Sequence, residues 1–316
     1  MTTAKVELGR HLFYDTRLSI DEDMSCASCH MQELAFTDGK PFSIGTLGDP
    51  HPRGAMSIAN VAYASRLTWA NPHLDMLEDQ ALLPIFSDEP IEMGMGDREA
   101  ELVARLSSDR ATRSRYREAF PETGDVSVQH TVQAIAAFER TILSGGSAYD
   151  RMLTGDETAL TAQQNVGMEL FFSERTECFH CHAGFTFSDS VDHAGTPTPE
   201  VAFHQTGLYN VDGKGAYPAT NTGLHEVTGK DEDMGKFRAP GLRNVALTAP
   251  YMHDGSIETL DEVVRHYENG GRARSEATSE FLPGFILTDE ERKALVAFLE
   301  GLTDEQLLTD KRFSAP

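Results

Sequence analysis

Two short motifs with the same spacing constrain this chain more than any other feature. Residues 26–30 read Cys-Ala-Ser-Cys-His and residues 178–182 read Cys-Phe-His-Cys-His, so both follow C-x-x-C-H. This is the pattern for covalent attachment of a c-type haem. Two thiols one helical turn apart bond the two vinyl groups on one edge of the porphyrin, and the adjacent histidine ligates the iron.

A lone C-x-x-C also occurs in disulfides and zinc sites, so those alternatives have to be weighed. The chain has four cysteines, all of them lie in the two motifs, and both motifs carry the trailing histidine. The sequence therefore predicts two covalently bound haem c groups. Their attachment residues are Cys26, Cys29 and His30 for the first haem, and Cys178, Cys181 and His182 for the second.

The length of 316 residues is enough for two domains at about 150 residues each. No apolar run approaches the roughly 18 residues that would span a bilayer, so no membrane span is expected. The chain opens with Met1-Thr2-Thr3-Ala4-Lys5 and shows no secretory leader. Because c-type haem is attached outside the cytoplasm, we interpret the sequence as a mature periplasmic form.

The formal net charge of −23 is strongly negative, and haem propionates would add to it. This charge disfavours nucleic acid as a partner, because phosphates require a basic surface. It is compatible with electrostatic steering of a basic partner protein. A solvated acidic surface that only keeps the protein soluble explains the charge equally well.

An internal repeat surrounds the haem motifs. Residues 8–17 (LGRHLFYDTR) align with residues 166–175 (VGMELFFSER), and residues 134–140 (AIAAFER) resemble residues 294–300 (ALVAFLE). The spacing of apolar residues in all four segments is that of amphipathic helices. A helix, a haem motif, loops and a closing helix describe a cytochrome c unit. The sequence thus predicts a mainly α fold of two tandem cytochrome c-like domains with long loops and little strand.

The segment Ser144-Gly145-Gly146-Ser147 predicts a flexible break after the first closing helix. We therefore expect an N-terminal domain over residues 1–146 and a C-terminal domain over residues 147–316. Additional helices are predicted at 97–106, with Asp97 as the cap, and at 259–267. Residues 183–256 are rich in glycine and predict a long loop region of the functional or cofactor-wrapping kind.

Characteristic segments run through almost the whole chain. The first half has LGRHLFYD, CASCH followed by AFTDGK, a Trp-containing loop, EDQALLPI and IEMG. The second half has CFHCH, FHQTGLYN, GKFRAPGLRNVALTAPYMHDG and TLDEVV. On these segments the chain resembles the bacterial di-haem cytochrome c peroxidase / MauG superfamily. The resemblance implies a peroxide-reacting haem on His30, an electron-transfer haem on His182 and a calcium ion between them.

The sixth ligand of the second haem distinguishes the branches of that superfamily. Ordinary peroxidases have methionine at the position of Tyr267, whereas MauG-type enzymes have tyrosine. An i, i+3, i+4, i+7 stripe ending at Tyr267 predicts that its side chain points inward, while His266 lies about 100° around the helix. An inward tyrosine is ordinarily core, but the resemblance makes it an axial tyrosinate. Further candidates are Tyr251, Met252 and His253.

The identity of this ligand has a physical consequence. Methionine favours reduced iron and raises the reduction potential, which suits an electron inlet. An anionic phenolate stabilises oxidised iron instead. A haem with axial Tyr267 is therefore expected to accept electrons poorly but to share an oxidising equivalent with its neighbour.

Peroxide chemistry at the first haem needs an open iron position and a nearby acid or base. The resemblance places Glu92 at the distal glutamate and Gln80 at the distal glutamine. Glu89 is the alternative if the loop is shifted, and a solvated surface carboxylate is the ordinary role of any glutamate. Ordinary peroxidases also block this iron with a mobile histidine. His51 lies nearby, but Pro52 occupies the matching place, so an open resting site is predicted.

Trp69, the only tryptophan, matches a family residue that lies between the haems and relays electrons or holes, although a lone tryptophan is normally core. Asn60, Thr248 and Pro250 match the family's calcium site, the last two through backbone carbonyls that suit a hard cation. Haem-propionate partners are predicted at Arg238 and Arg243. Loop hydrogen bonding is the ordinary alternative for Asn60 and for both arginines.

The resemblance is closest to the MauG/MbnH-like branch. It implies that peroxide reacts at the first haem with help from Glu92 and Gln80. A high-valent two-haem state then shares two oxidising equivalents across Trp69, and an aromatic residue of a partner protein is oxidised at long range. That residue is expected to be tryptophan, and members of the MbnH-type branch convert it to kynurenine.

Two other functions remain open from the sequence. One is a detoxifying peroxidase that reduces hydrogen peroxide with electrons from a small cytochrome or copper protein. It requires methionine or histidine in place of Tyr267 and His51 on the first iron. The other is a plain di-haem electron carrier with six-coordinate haems and no peroxide reaction, which Glu92 and Gln80 argue against.

Overall fold

The computed structural model describes residues 1–196 and 201–316. In this part of the chain β structure is limited to isolated bridges, and helices joined by long loops and short 3₁₀ turns make up the rest. The predicted mainly α fold with little strand is confirmed. The α-helices are α1 (Thr3–Phe13), α2 (Leu77–Phe86), α3 (Glu99–Ser108), α4 (Arg110–Ala119), α5 (Val128–Glu139), α6 (Ala148–Leu153), α7 (Ala162–Phe171), α8 (His225–Thr228), α9 (Leu260–Glu268) and α10 (Asp289–Glu300).

Within the described residues, no helix has both the length and the apolar character that crossing a bilayer requires. Several helices of the second half begin at a capping box, in which a threonine side chain and a glutamine or glutamate three residues later satisfy backbone amides reciprocally. The pairs are Thr161 with Gln164 for α7, Thr259 with Glu262 for α9, and Thr288 with Glu291 for α10.

The two halves repeat one helix pair, because α1 packs on α5 as α7 packs on α10. Each pair crosses at a glycine. A Cβ atom added at Gly9 would overlap the carbonyl of Ala134, and one added at Gly167 would overlap the carbonyl of Ala294. The aligned residues of the sequence repeat therefore make the same contact in space. Glycine is required at this crossing because only a hydrogen fits between the two backbones.

Replacement of Gly167 by alanine is expected to destabilise the protein by about 1–3 kcal/mol or more, since the added methyl overpacks against a backbone that cannot move aside. Chemical denaturation of the purified holoprotein would measure the loss. Gly145→Ala is the matched control, because a Cβ atom there meets nothing within 4 Å. Equal stability of the two variants would contradict the tight crossing.

Three aromatic rings pack beside each helix pair in the same arrangement. The ring centroids of Phe13 and Phe138 lie 5.2 Å apart, and those of Phe171 and Phe298 lie 5.3 Å apart. A third ring comes from the loop after each haem motif. These third rings are Phe36 in the first half and Phe187 in the second.

The segment at residues 144–147 is a hydrogen-bonded connection with buried serines at both ends rather than the flexible break that its glycines suggested. Ser144 is fully buried, and its backbone N–H and C=O bond the side-chain amide of Asn60, both at 2.9 Å. The N–H groups of Gly145 and Gly146 donate to Asp304 at 3.0 and 2.9 Å. Long-range partners that the local sequence does not reveal hold this segment. The domain boundary after residue 146 stays a prediction.

The remaining local predictions have mixed outcomes. Thr259 caps α9 and the helix ends at Glu268, one residue beyond the predicted end. The prediction of Asp97 as a helix cap is wrong. Its backbone is left-handed, with φ of 55°, and α3 begins later, after Arg98. In the described parts of residues 183–256 the helical elements are limited to α8 and short 3₁₀ turns, so the loop-rich prediction is confirmed.

Candidate active site

The histidines of the two haem motifs are held in the same way. His30 Nδ1 lies 2.9 Å from the carbonyl oxygen of Phe36, and His182 Nδ1 lies 3.0 Å from that of Phe187. When Nδ1–H donates to the carbonyl, Nε2 keeps its lone pair, as an axial haem ligand requires. Burial lowers the pKa of both imidazoles and favours this neutral form. The two sites therefore fit the histidine ligation of haem.

The four cysteines are all unpaired, so neither motif forms a disulfide. In the described residues, the groups of three side chains close enough to share a metal ion contain at most one cysteine. Burial raises the pKa of Cys29 and of Cys178 to about 11, which disfavours the thiolates that zinc binds. Both observations fit thioether attachment better than the disulfide or zinc alternatives.

A large, mostly apolar cavity surrounds the second motif. Its empty space is about 1290 Å³, including solvent at its mouth, which is enough for a cofactor. Cys178, Cys181 and His182 line one part of it, and α9 and α10 contribute apolar side chains. The cavity therefore fits a haem attached at this motif.

Tyr267 lies in this cavity together with the rest of its helical stripe. The other members that line the wall are Leu260, Val263 and Val264. His266 points elsewhere, because its Nε2 lies 3.0 Å from the carbonyl of Thr206 and its Nδ1 accepts from the N–H of Arg272 at 3.2 Å. Burial raises the pKa of the Tyr267 hydroxyl, so only a strongly bound cation would ionise it.

The other candidate ligands also reach this cavity. Tyr251 donates its hydroxyl to the carbonyl of Val245 at 3.2 Å, which engages it elsewhere. His253 is 4% exposed, and its Nε2 is one of the few buried polar atoms in the described residues without a hydrogen-bond partner. Its ring stacks on Phe237 with centroids 3.8 Å apart. His253 is therefore the strongest rival of Tyr267 on geometry.

The backbone around Glu92 is fixed from several sides. The N–H of Thr46 donates to the carbonyl of Glu92 at 2.7 Å, and the N–H of Ile20 donates to that of Met93 at 2.8 Å. The N–H of Met93 in turn donates to Pro84 near the end of α2, at 2.8 Å. Because α2 also carries Gln80, one helix supports both predicted distal residues.

The side chain of Glu92 is 30% exposed and lies 3.8 Å from His51, measured from Oε1 to Nε2. Burial raises the pKa of Glu92 to about 7. Glu89 is exposed, which makes it the weaker candidate for the distal acid. The sequence did not predict the approach of His51 to Glu92. It arises because the N–H of His51 donates to Ser43 at 2.8 Å and folds the loop back.

Trp69 lines both the second cavity and a neighbouring cavity between the two halves. Its indole N–H donates to the carbonyl of Gly54 in the first half at 2.9 Å. Its own carbonyl accepts from the N–H of Arg238 in the second half at 2.8 Å. The structure thus places Trp69 in contact with both halves of the chain, and its position between the two haems stays a prediction.

The residues predicted to bind calcium, Asn60, Thr248 and Pro250, all line the cavity between the halves. The fit is incomplete, because both polar atoms of the Asn60 side chain already bond the backbone of Ser144. None of the three supplies a carboxylate, the ligand that calcium sites usually contain. The calcium ion stays a prediction.

The predicted propionate partners differ from one another. Arg243 makes a bidentate ion pair with Asp150 at 2.7 and 2.8 Å, so that its charge is already balanced. Arg238 lines both cavities, with its Nε donating to Thr68 and a terminal nitrogen 3.1 Å from the Met56 sulfur. Arg238 is therefore the better placed cation for a haem propionate.

One pair at the second cavity was missed by the sequence reasoning. His204 lines the cavity and bonds Asp189 at 2.5 Å, and the N–H of Asp189 donates to the carbonyl of Cys181. His204 lies in the FHQTGLYN segment, one of those that carry the family resemblance. Its partner Asp189 lies 15 residues away, and no local motif indicates that the two side chains meet.

Comparison with known proteins decides the family. A family model described as di-haem cytochrome c peroxidase matches residues 3–158. The methylamine utilization protein MauG of Methylorubrum extorquens is 33% identical over 308 residues, covering 96% of this chain and 80% of that protein. The chain belongs to the di-haem cytochrome c peroxidase family. It is accordingly a di-haem oxidoreductase that acts on peroxide, with two c-type haems.

Two further relatives of this di-haem peroxidase are informative. Cytochrome-c peroxidase IdrP2 of Denitromonas iodatirespirans is 36% identical over 313 residues, covering 96% of this chain and 82% of that protein. The crystal structure of a MauG-like protein associated with microbial copper homeostasis is 49% identical, with a TM-score of 0.97. It covers 100% of this chain and 94% of its own.

Proposed function

We propose that this di-haem enzyme uses hydrogen peroxide to oxidise a tryptophan of a partner protein, with kynurenine as the candidate product. The observation that carries the proposal is Tyr267 in the cavity of the second haem motif, at the position where ordinary peroxidases have methionine. A 49% identical protein of known structure is MauG-like and associated with microbial copper homeostasis. We therefore expect the partner to be a copper-homeostasis protein, and a periplasmic location follows from the c-type haem.

The two haems, when bound, supply the iron that reacts with peroxide and the route for electrons. Reduction of one hydrogen peroxide to two waters takes two electrons, drawn from the partner, and two protons. Conversion of one tryptophan to N-formylkynurenine is a four-electron oxidation that consumes two hydrogen peroxides and releases two waters, and hydrolysis with loss of formate then gives kynurenine. Glu92 accepts the proton of the bound peroxide and returns it to the leaving oxygen, acting as base and then acid. Gln80, on the helix that supports the Glu92 loop, orients the peroxide by hydrogen bonding.

Between the sites, Trp69 links the two halves through its bonds to Gly54 and Arg238 and acts as the relay for electrons. Tyr267, held by α9 in the second cavity, would supply its phenolate oxygen to the haem iron, and the negative charge of that oxygen would stabilise the oxidised state. Because calcium fits its predicted ligands only in part, no step depends on it.

A second candidate function is reduction of peroxide with electrons from a small redox protein. The 36% identity to a cytochrome-c peroxidase favours it. So does the position of His51 beside Glu92, where it could approach the first iron. This function does not require oxidation of an amino acid.

The discriminating experiment adds one equivalent of hydrogen peroxide to the fully ferric protein and follows its optical and EPR spectra. The proposed function predicts a high-spin first haem that reacts at once, without prior reduction. Mass spectrometry of a copper-homeostasis partner incubated with enzyme and peroxide should then show an oxidised tryptophan. Two low-spin haems that ignore peroxide until one is reduced would support the second candidate instead.

A further inference from the structure

Glu139, the last residue of α5, is a buried carboxyl group for which the proposed reaction has no use. The residue is 6% exposed, and its Oε2 is fully buried with no hydrogen-bond partner in the described structure. Its neighbour Arg140 does not neutralise it, because both terminal nitrogens of Arg140 donate to Glu78 at 2.7 Å. A buried polar atom without a partner costs stability and calls for an explanation.

The internal repeat shows what Glu139 faces. Ala134 and Phe138 of α5 correspond to Ala294 and Phe298 of α10, which places Glu139 at the position of Leu299. Leu299 lines the cavity of the second haem motif. By the same packing, Glu139 faces the site of the first haem. At this position of the haem-site wall, the first half thus has a carboxyl group and the second half has an aliphatic side chain.

An electrostatic observation agrees with this placement. Burial raises the pKa of the Cys26 thiol, and the charge of Glu139 is the next largest cause of that increase. Cys26 is one of the two attachment residues of the first haem. The carboxyl group therefore lies near the edge of the porphyrin that carries the thioether bonds.

We propose that Glu139 takes up a proton when the first haem is reduced and releases it when that haem is oxidised. On reduction, the iron gains one electron from an external donor and the carboxylate gains one proton from solvent; both leave on oxidation. The reason is that a change of net charge in a buried, weakly polarisable site is costly, so the two charges move together. This inference rests on the placement of the first haem and not on the identity of the substrate.

The surroundings of Glu139 favour such an exchange at accessible pH. Burial raises its pKa to about 8, the nearby Arg140 lowers it, and Glu78 raises it. The Cys26 thiol is the other titratable group near it, and becomes a neutral thioether once haem is attached. Leu299 cannot titrate, so the second haem has no proton-accepting group at this position of the repeat.

Spectroelectrochemical titration of the purified di-haem protein, with small redox dyes as electron donors, tests this coupling. As the pH rises through the pKa of Glu139, about 8, the reduction potential of the first haem should fall, because the ionised carboxylate stabilises oxidised iron. In Glu139→Gln the part of this fall that is due to Glu139 should disappear, while Glu139→Asp should keep it with a shifted midpoint. The second haem provides an internal reference that Glu139 should not affect.

Glu92 also titrates near the first haem, so Glu92→Gln is the matched control and should retain the part of the pH dependence due to Glu139. If the reduction potential of the first haem depends on pH in the same way in the wild type and in Glu139→Gln, the inference is overturned. If Glu139→Gln does not incorporate haem, an unshifted midpoint in Glu139→Asp overturns it as well. Neither peroxide nor partner protein is present, so failure of the proposed function would appear separately.

Discussion

Replacing Glu92 with glutamine should slow the reaction of the ferric protein with hydrogen peroxide by roughly 10²- to 10⁴-fold, the usual contribution of a positioned acid or base. Glutamine keeps the shape of the side chain and cannot exchange the peroxide proton. Stopped-flow measurement of the spectral change after mixing gives the rate. The matched control is Glu89→Gln, because Glu89 is exposed on the same loop and should react like the wild type.

The pH profile sharpens this prediction. Burial raises the pKa of Glu92 to about 7, so the carboxyl is neutral below that pH and cannot accept a proton. The wild-type rate should therefore fall as pH drops below about 7, and the Glu92→Gln rate should be low and flat. If His51 were the group that accepts the proton, His51→Gln would abolish the fall and Glu92→Gln would not. A fast, pH-dependent Glu92→Gln variant would exclude Glu92 as the base.

The features that the sequence could predict are those encoded by local spacing. The C-x-x-C-H motifs, the helical stripe ending at Tyr267 and each of the repeated helical segments are all fixed within a few residues. Their repetition in two halves gave the fold class. The orientation of Tyr267 followed from helix geometry alone and agrees with the structure.

What could not be predicted depends on contacts between segments that are distant in the chain. The Ser-Gly-Gly-Ser segment looks flexible by itself, but Asp304 accepts hydrogen bonds from its amides across about 160 residues. His51 approaches Glu92 because a loop folds back. In the sequence, Glu139 cannot be distinguished from any other glutamate in a helix. Only its alignment with Leu299 in the folded repeat indicates that it faces the first haem site.

Tyr267→Met should raise the reduction potential of the second haem by a sizeable part of the about 0.8 V range that axial ligands span. An axial phenolate stabilises oxidised iron through its negative charge, whereas a neutral thioether does not. Redox titration measures the shift, and ferric EPR should show an altered low-spin signal. His266→Gln is the control on the same helix, since its ring bonds Thr206 and Arg272 away from the cavity.

The same variant separates the two candidate functions. A second haem with a high reduction potential accepts electrons readily and does not share an oxidising equivalent. Tyr267→Met should therefore lose oxidation of the partner tryptophan and gain turnover with a small electron donor. Tyr267→Phe, which removes the ligand without a replacement, should lose both the low-spin signal and the partner oxidation. If the low-spin signal instead survives in Tyr267→Phe and changes in His253→Gln, then His253 is the axial ligand. In that event Tyr267 only packs in the cavity wall. Reduction of peroxide with electrons from a small redox protein would then be favoured over oxidation of a partner tryptophan.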